Sequence, residues 1–425
     1  MSPLAYLRTV RPDRADLTGE SFDQGTVRVV PGDVVGVVMM ELGGPLRPDE
    51  VVPFLQSRLM DPVEVELRVP RVFRPRAARH LARRLGRELQ RSFEMIGGVS
   101  PLRRHVSEQA GVLQRRLNDR FGETTGATFR TYVAMRHGDP SMARARERMV
   151  EDGVTKVILL PLQPHFSAAM AGSALSYWRA HGPVEAPTAL VSEYATHPKL
   201  VRALNERIDE GLQRFSRDVR DRVQILFAAH GASRRHLHKL DDPYCCHVHA
   251  TVRAVLADRS DERASAVAFL PPLGSGRALG DRISDALADF SSAGTQAVLV
   301  VPISFLSDRI DTAFDLDVTA RRLAEKEGIS HFEVTSGLNC HPLLVDALAE
   351  CVAIHVEPDT LGGGDGVLDP DAFPDLAPTA VRPRAVKCPV CERSISTRVW
   401  RSEGAVFQPG LLGRGTSEDG HRSAA

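Results

Sequence analysis

Six short apolar runs rich in β-branched residues punctuate the chain: Val34 to Met40, Ala127 to Val133, Lys156 to Leu160, Gln224 to Ala228, Ser265 to Phe269 and Ala297 to Val301. Runs of this length without polar alternation suit strands buried on both faces, the situation of parallel sheets flanked by helices. The stretches between them have helical period instead. In Glu108 to Phe121, Ala110, Leu113, Leu117 and Phe121 recur at the spacing of one helix face. Strand and helix in alternation specify an α/β fold of βα units.

The runs form two groups of three, each within the roughly 150 residues of a doubly wound domain, and the chain is long enough to fill two cores. The expected division is an N-terminal extension over 1–31, α/β domains over 32–195 and 196–357, and a linker with tail over 358–425. Composition marks the last boundary. After Glu357 it shifts to Gly, Asp and Pro, with Gly362, Gly363 and Gly364 in succession.

Lys and Arg number 54 and Asp and Glu 54, so the net charge is zero and no global field favours nucleic acid. Met1 to Val30 lacks the apolar core of a signal peptide, and no run reaches the ~20 residues of a membrane span. The expected location is the cytoplasm, with any membrane contact peripheral. Residues 68 to 91 concentrate Arg68, Arg71, Arg74, Arg76, Arg79, Arg83, Arg84, Arg87 and Arg91. Either a solvated helix face or a surface for anionic lipid or a carboxylated substrate has this composition.

Ligands of α/β sheets bind beyond the carboxyl ends of strands, and four segments there carry chemistry. Glu41-Leu42-Gly43-Gly44-Pro45 allows close backbone approach, and Ser100 before Pro101 suits a helix start. His230 ends the run Ile225 to Ala229 and can exchange protons near neutral pH. Asp308, Asp311 and Asp315 share one face if a helix begins near Ser307, and such a row can pass protons or hold a hard cation. Ordinary acidic bias at a helix start would produce the same row. A nucleotide-binding enzyme is disfavoured, because no Gly-rich phosphate loop joins a strand to a helix.

Taken in order, these segments resemble the ferrochelatase family over roughly residues 34 to 355. Leu42-Gly43-Gly44-Pro45, Phe54-Leu55, Asp61-Pro62 and Ile96-Gly97-Gly98 with Ser100-Pro101 are similar to its opening. Met135-Arg136, Pro164-His165-Phe166-Ser167 with Gly172-Ser173, and Ala229-His230-Gly231 with Asp242-Pro243-Tyr244 are similar to its middle. Ser307 to Thr312 resembles Ser-Asp-His-Ile-Glu-Thr, and Leu338-Asn339 with Pro342 resembles a later turn.

The resemblance implies two similar doubly wound parallel-sheet domains of the chelatase type with a porphyrin cleft between them. It implies a lyase of haem biosynthesis that inserts ferrous iron into protoporphyrin IX or coproporphyrin III. His230, Asp311 and Asp315 would be catalytic, with His230 and Asp311 meeting the substrate iron. Leu42, Gly43, Ser100, Arg136, His137 and Tyr244 would bind the porphyrin. No cofactor is required, and the chain would be a monomer or homodimer. This chain departs from the family at Arg309 and Asp311, where His and Glu are usual, at His137, where Tyr is usual, and at Ala278, near a usual Trp. The alternatives are a non-catalytic porphyrin- or haem-binding paralogue and a chelatase for another tetrapyrrole or metal.

Cys388 and Cys391 have the spacing of a metal knuckle but supply only two of the usual four ligands. Some ferrochelatases carry a [2Fe-2S] cluster at a comparable tail pair. Positions resembling their other cysteines are Ala168 and Ser396 here, so a cluster or zinc would need ligands from elsewhere.

Overall fold

The computed structural model describes residues 13–358 except 23–24, 96–97, 99, 182–183, 260–262, 272 and 274–280, together with β segments at 381–387, 394–399, 401–402 and 405–406. Side chains of Glu88, His236, Asp311 and the segments after 380 lie outside that description.

The six runs are strands, and further short ones join them. β1 is Val27–Val29, β2 Val34–Glu41, β3 Thr128–Met135, β4 Lys156–Pro161 and β5 Thr188–Leu190. β6 is Gln224–Ala229, β7 Ser265–Phe269, β8 Ala297–Pro302, β9 His331–Val334 and β10 Val356–Pro358. One parallel sheet has the order β3-β2-β4-β5, and a second repeats it as β7-β6-β8-β9. In each, the first strand in sequence lies between the second and third, so the winding direction reverses beside it. The register sets Val37 opposite Ile158 in one sheet and Phe227 opposite Val301 in the other.

The inner faces of both sheets join one continuous core. Val37 and Ile158 belong to it, as do Phe227 and Leu299, with Leu113, Leu204, Val248 and Leu348 from the helices between. These helices are Leu102–Leu117, Pro198–Leu212, Tyr244–Arg259 and Pro342–Ala353. Each outer face has its own core, around Val38, Leu159 and Trp178 in one sheet and Leu226, Val298 and Leu287 in the other. The two ends of the fold are tied together as well, because β1 pairs in parallel with β10. The segment expected as an N-terminal extension thus contributes β1 to a two-stranded sheet, and its helix Arg14–Thr18 packs near Ala168–Gly172.

Two helices, Val51–Met60 and Arg74–Met95, pack together, and Ser57 of the first meets His137 just past the end of β3. Their shared core comprises Val51, Leu55, Leu59, Ala78, Ala82 and Phe93, and it also holds Ile310 from the second half. The arginine-dense segment divides accordingly. Arg74 is buried and donates to the carbonyls of Met60, Asp61 and Val65, which satisfies the end of the first helix and the turn that follows it. Arg76, Arg79, Arg83, Arg84, Arg87 and Arg91 face outward.

Phe227 sits at the centre of β6, fully buried between two neighbouring strands. Phe227→Ala is expected to destabilise the protein by about 3–5 kcal/mol, read as a lowered urea midpoint.

Candidate active site

The reversal points of the two sheets decide where polar groups gather. Side chains just past β2, β4, β6 and β8 converge on one hollow: Leu42, then Gln163 and His165, then His230, then Ser304, Phe305 and Arg309. Met170 and Tyr244 complete its wall, and the hollow is part-open, about 270 Å³ when its solvent-filled mouth is counted. A second hollow of about 440 Å³ shares His230 and Met170 with the first. It is also lined by Arg58, Glu64, Glu66, Ser233 and Leu273.

His230 follows the last residue of β6, so the rigid buried strand fixes its backbone while the half-buried imidazole reaches both hollows. The Phe305 ring stands edge-on to it at 5.6 Å. Tyr244 donates its hydroxyl to the His230 carbonyl at 3.1 Å and lies 2.9 Å from Ser304 Oγ. Ser304 Oγ is 3.3 Å from His165 Nδ1, and His165 Nε2 is 2.8 Å from Thr251 Oγ1. Burial holds the His165 pKa down at about 3, with His247 adding to the effect, so the ring is neutral and has one N–H. The Thr251 proton goes to the Ala195 carbonyl at 2.6 Å. Nε2 therefore carries the proton, and Nδ1 accepts from Ser304.

Two expected porphyrin-binding residues stand behind this wall. Arg136 and His137 are both buried, in a charge network with Asp61 and Glu64. Arg136 donates to Asp61 at 2.5 Å, Ser173 donates to the same carboxylate oxygen at 2.5 Å, and Arg58 pairs with Glu64 at 2.5 Å. Burial alone would raise the Asp61 pKa, but the guanidinium of Arg136 and the Ser173 hydroxyl outweigh it and hold the carboxyl at about 2. His137 is pushed down by burial and then by Arg136, so its neutral ring donates from Nε2 to Glu64 and accepts from Ser57 at 2.7 Å. Asp61, Glu64 and His137 place donor atoms within 4.8 Å of one another. A cation entering there would have to displace two guanidinium groups, so the donor set fits a closed charge network better than a metal.

The turn after β2 is zipped onto the same segment. Arg136 and His137 donate their N–H groups to the carbonyls of Glu41 and Leu42. Gly43 has φ +88°, and a Cβ there would lie 1.9 Å from the His137 carbonyl oxygen, so only glycine fits. Ser100 is buried and accepts from the Leu102 N–H at 3.4 Å, while the helix Leu102–Leu117 is capped at Pro101 without a side-chain capping bond.

The acidic row differs from expectation. The helix begins at Ile310 rather than near Ser307 and winds as a π-helix over Asp311–Thr319. Asp308 therefore precedes it, and its carboxylate accepts from the Gly337 N–H and the Asn339 amide, pinning the loop at 337–339. Asp315 is half-buried four residues after Asp311, whose side chain is outside the described part, as are Ala278, Cys388 and Cys391. π-helical turns are frequent at functional sites. Arg309 is buried where an imidazole was expected, with its guanidinium 3.3 Å from Glu41 and 3.4 Å from the Gly43 carbonyl.

Several lining residues were not singled out as site residues by the sequence: Gln163, Ser304 and Phe305 sit in loops, His165 entered only within the Pro164–Ser167 resemblance, and Glu66 lies in a short alternating stretch. The alternation Val63-Glu64-Val65-Glu66-Leu67 was the one available clue, since Val63, Val65 and Leu67 are buried and the glutamates between them are less so.

Comparison with known proteins places residues 34–356 in the ferrochelatase family model. A ferrochelatase of Gloeothece citriformis is 32% identical over 75% of this chain and 81% of its own length. Those of Gloeobacter violaceus and Geotalea daltonii are 31% and 32% identical, each over 96% of their own length. A solved structure of SirB from Bacillus subtilis with Fe3+ aligns over 76% of this chain and 94% of its own, at 10% identity and a TM-score of 0.42, a likeness too low to bear on function.

Asp61→Ala leaves the Arg136 charge buried without this partner and is expected to cost about 3–5 kcal/mol at neutral pH in urea unfolding. The folded Asp61 pKa lies below the unfolded value of about 3.9, so its contribution is complete above that pH. The wild-type advantage over Asp61→Ala should therefore shrink as pH falls from ~4 through about 2.

Proposed function

The chain belongs to the ferrochelatase family, and from that premise we infer that it is a lyase inserting ferrous iron into a porphyrin in haem biosynthesis. The observation that carries the assignment of its centre is the convergence of four strand ends on His230. Metallation removes two pyrrole protons as one divalent ion enters, so charge balances without oxidation or reduction. Iron is a substrate, and the reaction needs no resident cofactor.

In this proposal His230 accepts a pyrrole proton, and Tyr244 holds the base in place through its carbonyl. Leu42, Met170 and Phe305 offer apolar surface to the macrocycle. Asp311 and Asp315 on the π-helix relay protons outward. Gly43, Ser100, Arg136 and His137, which the resemblance assigns to porphyrin binding, are held in place by protein contacts that build the wall behind the hollow. The working units are 32–195 and 196–357, with protoporphyrin IX and coproporphyrin III as the two candidate substrates.

No described helix is long and apolar enough to cross a membrane. Val69, Val72 and Phe73 are 36%, 62% and 54% exposed immediately before the outward arginines of Arg74–Met95. Apolar side chains beside a basic face suit an anionic bilayer surface, with each arginine contributing about 1 kcal/mol. We place peripheral membrane contact of a cytoplasmic protein there.

Anaerobic incubation with ferrous iron and each porphyrin should show metallation above the protein-free rate. His230→Ala should lower kcat by about 10²-fold or more with an unchanged urea midpoint. Porphyrin binding without wild-type turnover would turn the assignment to a non-catalytic paralogue. Cosedimentation with vesicles containing an anionic phospholipid should fall when Phe73 becomes Ser and Arg76, Arg79 and Arg83 become Gln; wild-type protein that stays unbound at low salt would remove the membrane contact.

A further inference from the structure

The two hollows that meet at His230 differ in charge. Arg309 is the cation on the wall of the smaller one, and it is buried and held by Glu41. The wall of the larger one carries Arg58, Glu64 and Glu66. Arg58 and Glu64 cancel through a 2.5 Å contact, and Glu64 also takes the His137 hydrogen bond. Glu66 is then the surplus charge. Its side chain retains 19% exposure, and its contacts are long, 3.5 Å from Ser233 Oγ and 3.7 Å from Arg235. Arg235 is itself 69% exposed, and a pair so open to water holds weakly.

A carboxylate and an imidazole on one part-open hollow are a donor pair that suits ferrous iron, which accepts both oxygen and nitrogen ligands. An incoming dication is attracted toward Glu66 and repelled by the guanidinium across the cleft. We propose that Glu66 receives the ferrous ion and hands it to the His230 side of the macrocycle, so that metal enters through the hollow between Glu66 and Ser233. The inference rests on the ferrochelatase reading. Glu66 changes no oxidation state: it exchanges Arg235 for Fe2+, releases the ion as the pyrrole nitrogens bind it, and the two pyrrole protons leave by other groups. The Asp61, Glu64 and His137 cluster is not an alternative, since its carboxylates already hold guanidinium groups.

The test is steady-state metallation in which ferrous iron and porphyrin are varied separately. Glu66→Gln should raise the KM for Fe2+ about tenfold while the KM for porphyrin stays within about twofold, and Glu66→Asp should restore part of the loss. Arg235→Ala, which removes the competing cation, should lower the KM for Fe2+ about twofold. A merely structural role would move both KM values or the urea midpoint. An unchanged KM for Fe2+ in Glu66→Gln, with the wild type turning over, overturns the proposal and leaves the chelatase reading standing. Absence of wild-type turnover overturns that reading and this inference with it.

Discussion

The constraint on which the structure depends is that β2, β4, β6 and β8 are buried along nearly their whole length. Strands covered by helices on both faces cannot expose polar side chains sideways, so chemistry is confined to their carboxyl ends. Repeating the same strand order in two sheets doubles the effect. The first and third strands of each half end at a reversal point, and the helices between the sheets hold both points in one core. His230 is placed by this arrangement, with little left to loop conformation.

Burial at those ends has an electrostatic consequence. Polar groups drawn under the cleft must be satisfied there, and the two halves satisfy one another. Ser167 and Ala169 donate to Asp242, Phe166 donates to His247, and Ser304 meets His165. Burial raises the Asp242 pKa to about 6 even with its donors in place. These contacts add to the apolar core in holding the cleft walls together, since a buried group that loses its partner costs about 1–3 kcal/mol.

The sequence made the fold legible because long buried strands are continuous apolar runs; their ends moved by only a residue or two, where Pro161 and Pro302 still pair or Ala134 and Met135 remain buried. β5 and β9, at three and four residues, were too short to show a period. His230 was readable because it ends such a run. Arg136 and His137 were expected by resemblance to bind the porphyrin; their protein partners Asp61 and Glu64 lie more than 70 residues away in the chain and could not be read from it. The wall positions of Glu66 and His165 were unreadable for the same reason: their meaning lies in contacts between distant loops.

Arg309 shows why substitution at a cleft need not signal loss of function. Replacing an imidazole by a permanent cation would be costly at a buried site, and beside a dication it would oppose the reaction. Here the guanidinium turns to Glu41 and the Gly43 carbonyl, so the charge is balanced within the wall and joins the glycine turn of one half to the carboxylate-bearing segment of the other. What the position loses as a proton carrier it gains as a tether. In the proposed mechanism the proton-accepting work then falls to His230, and the cationic wall favours metal approach from the opposite hollow.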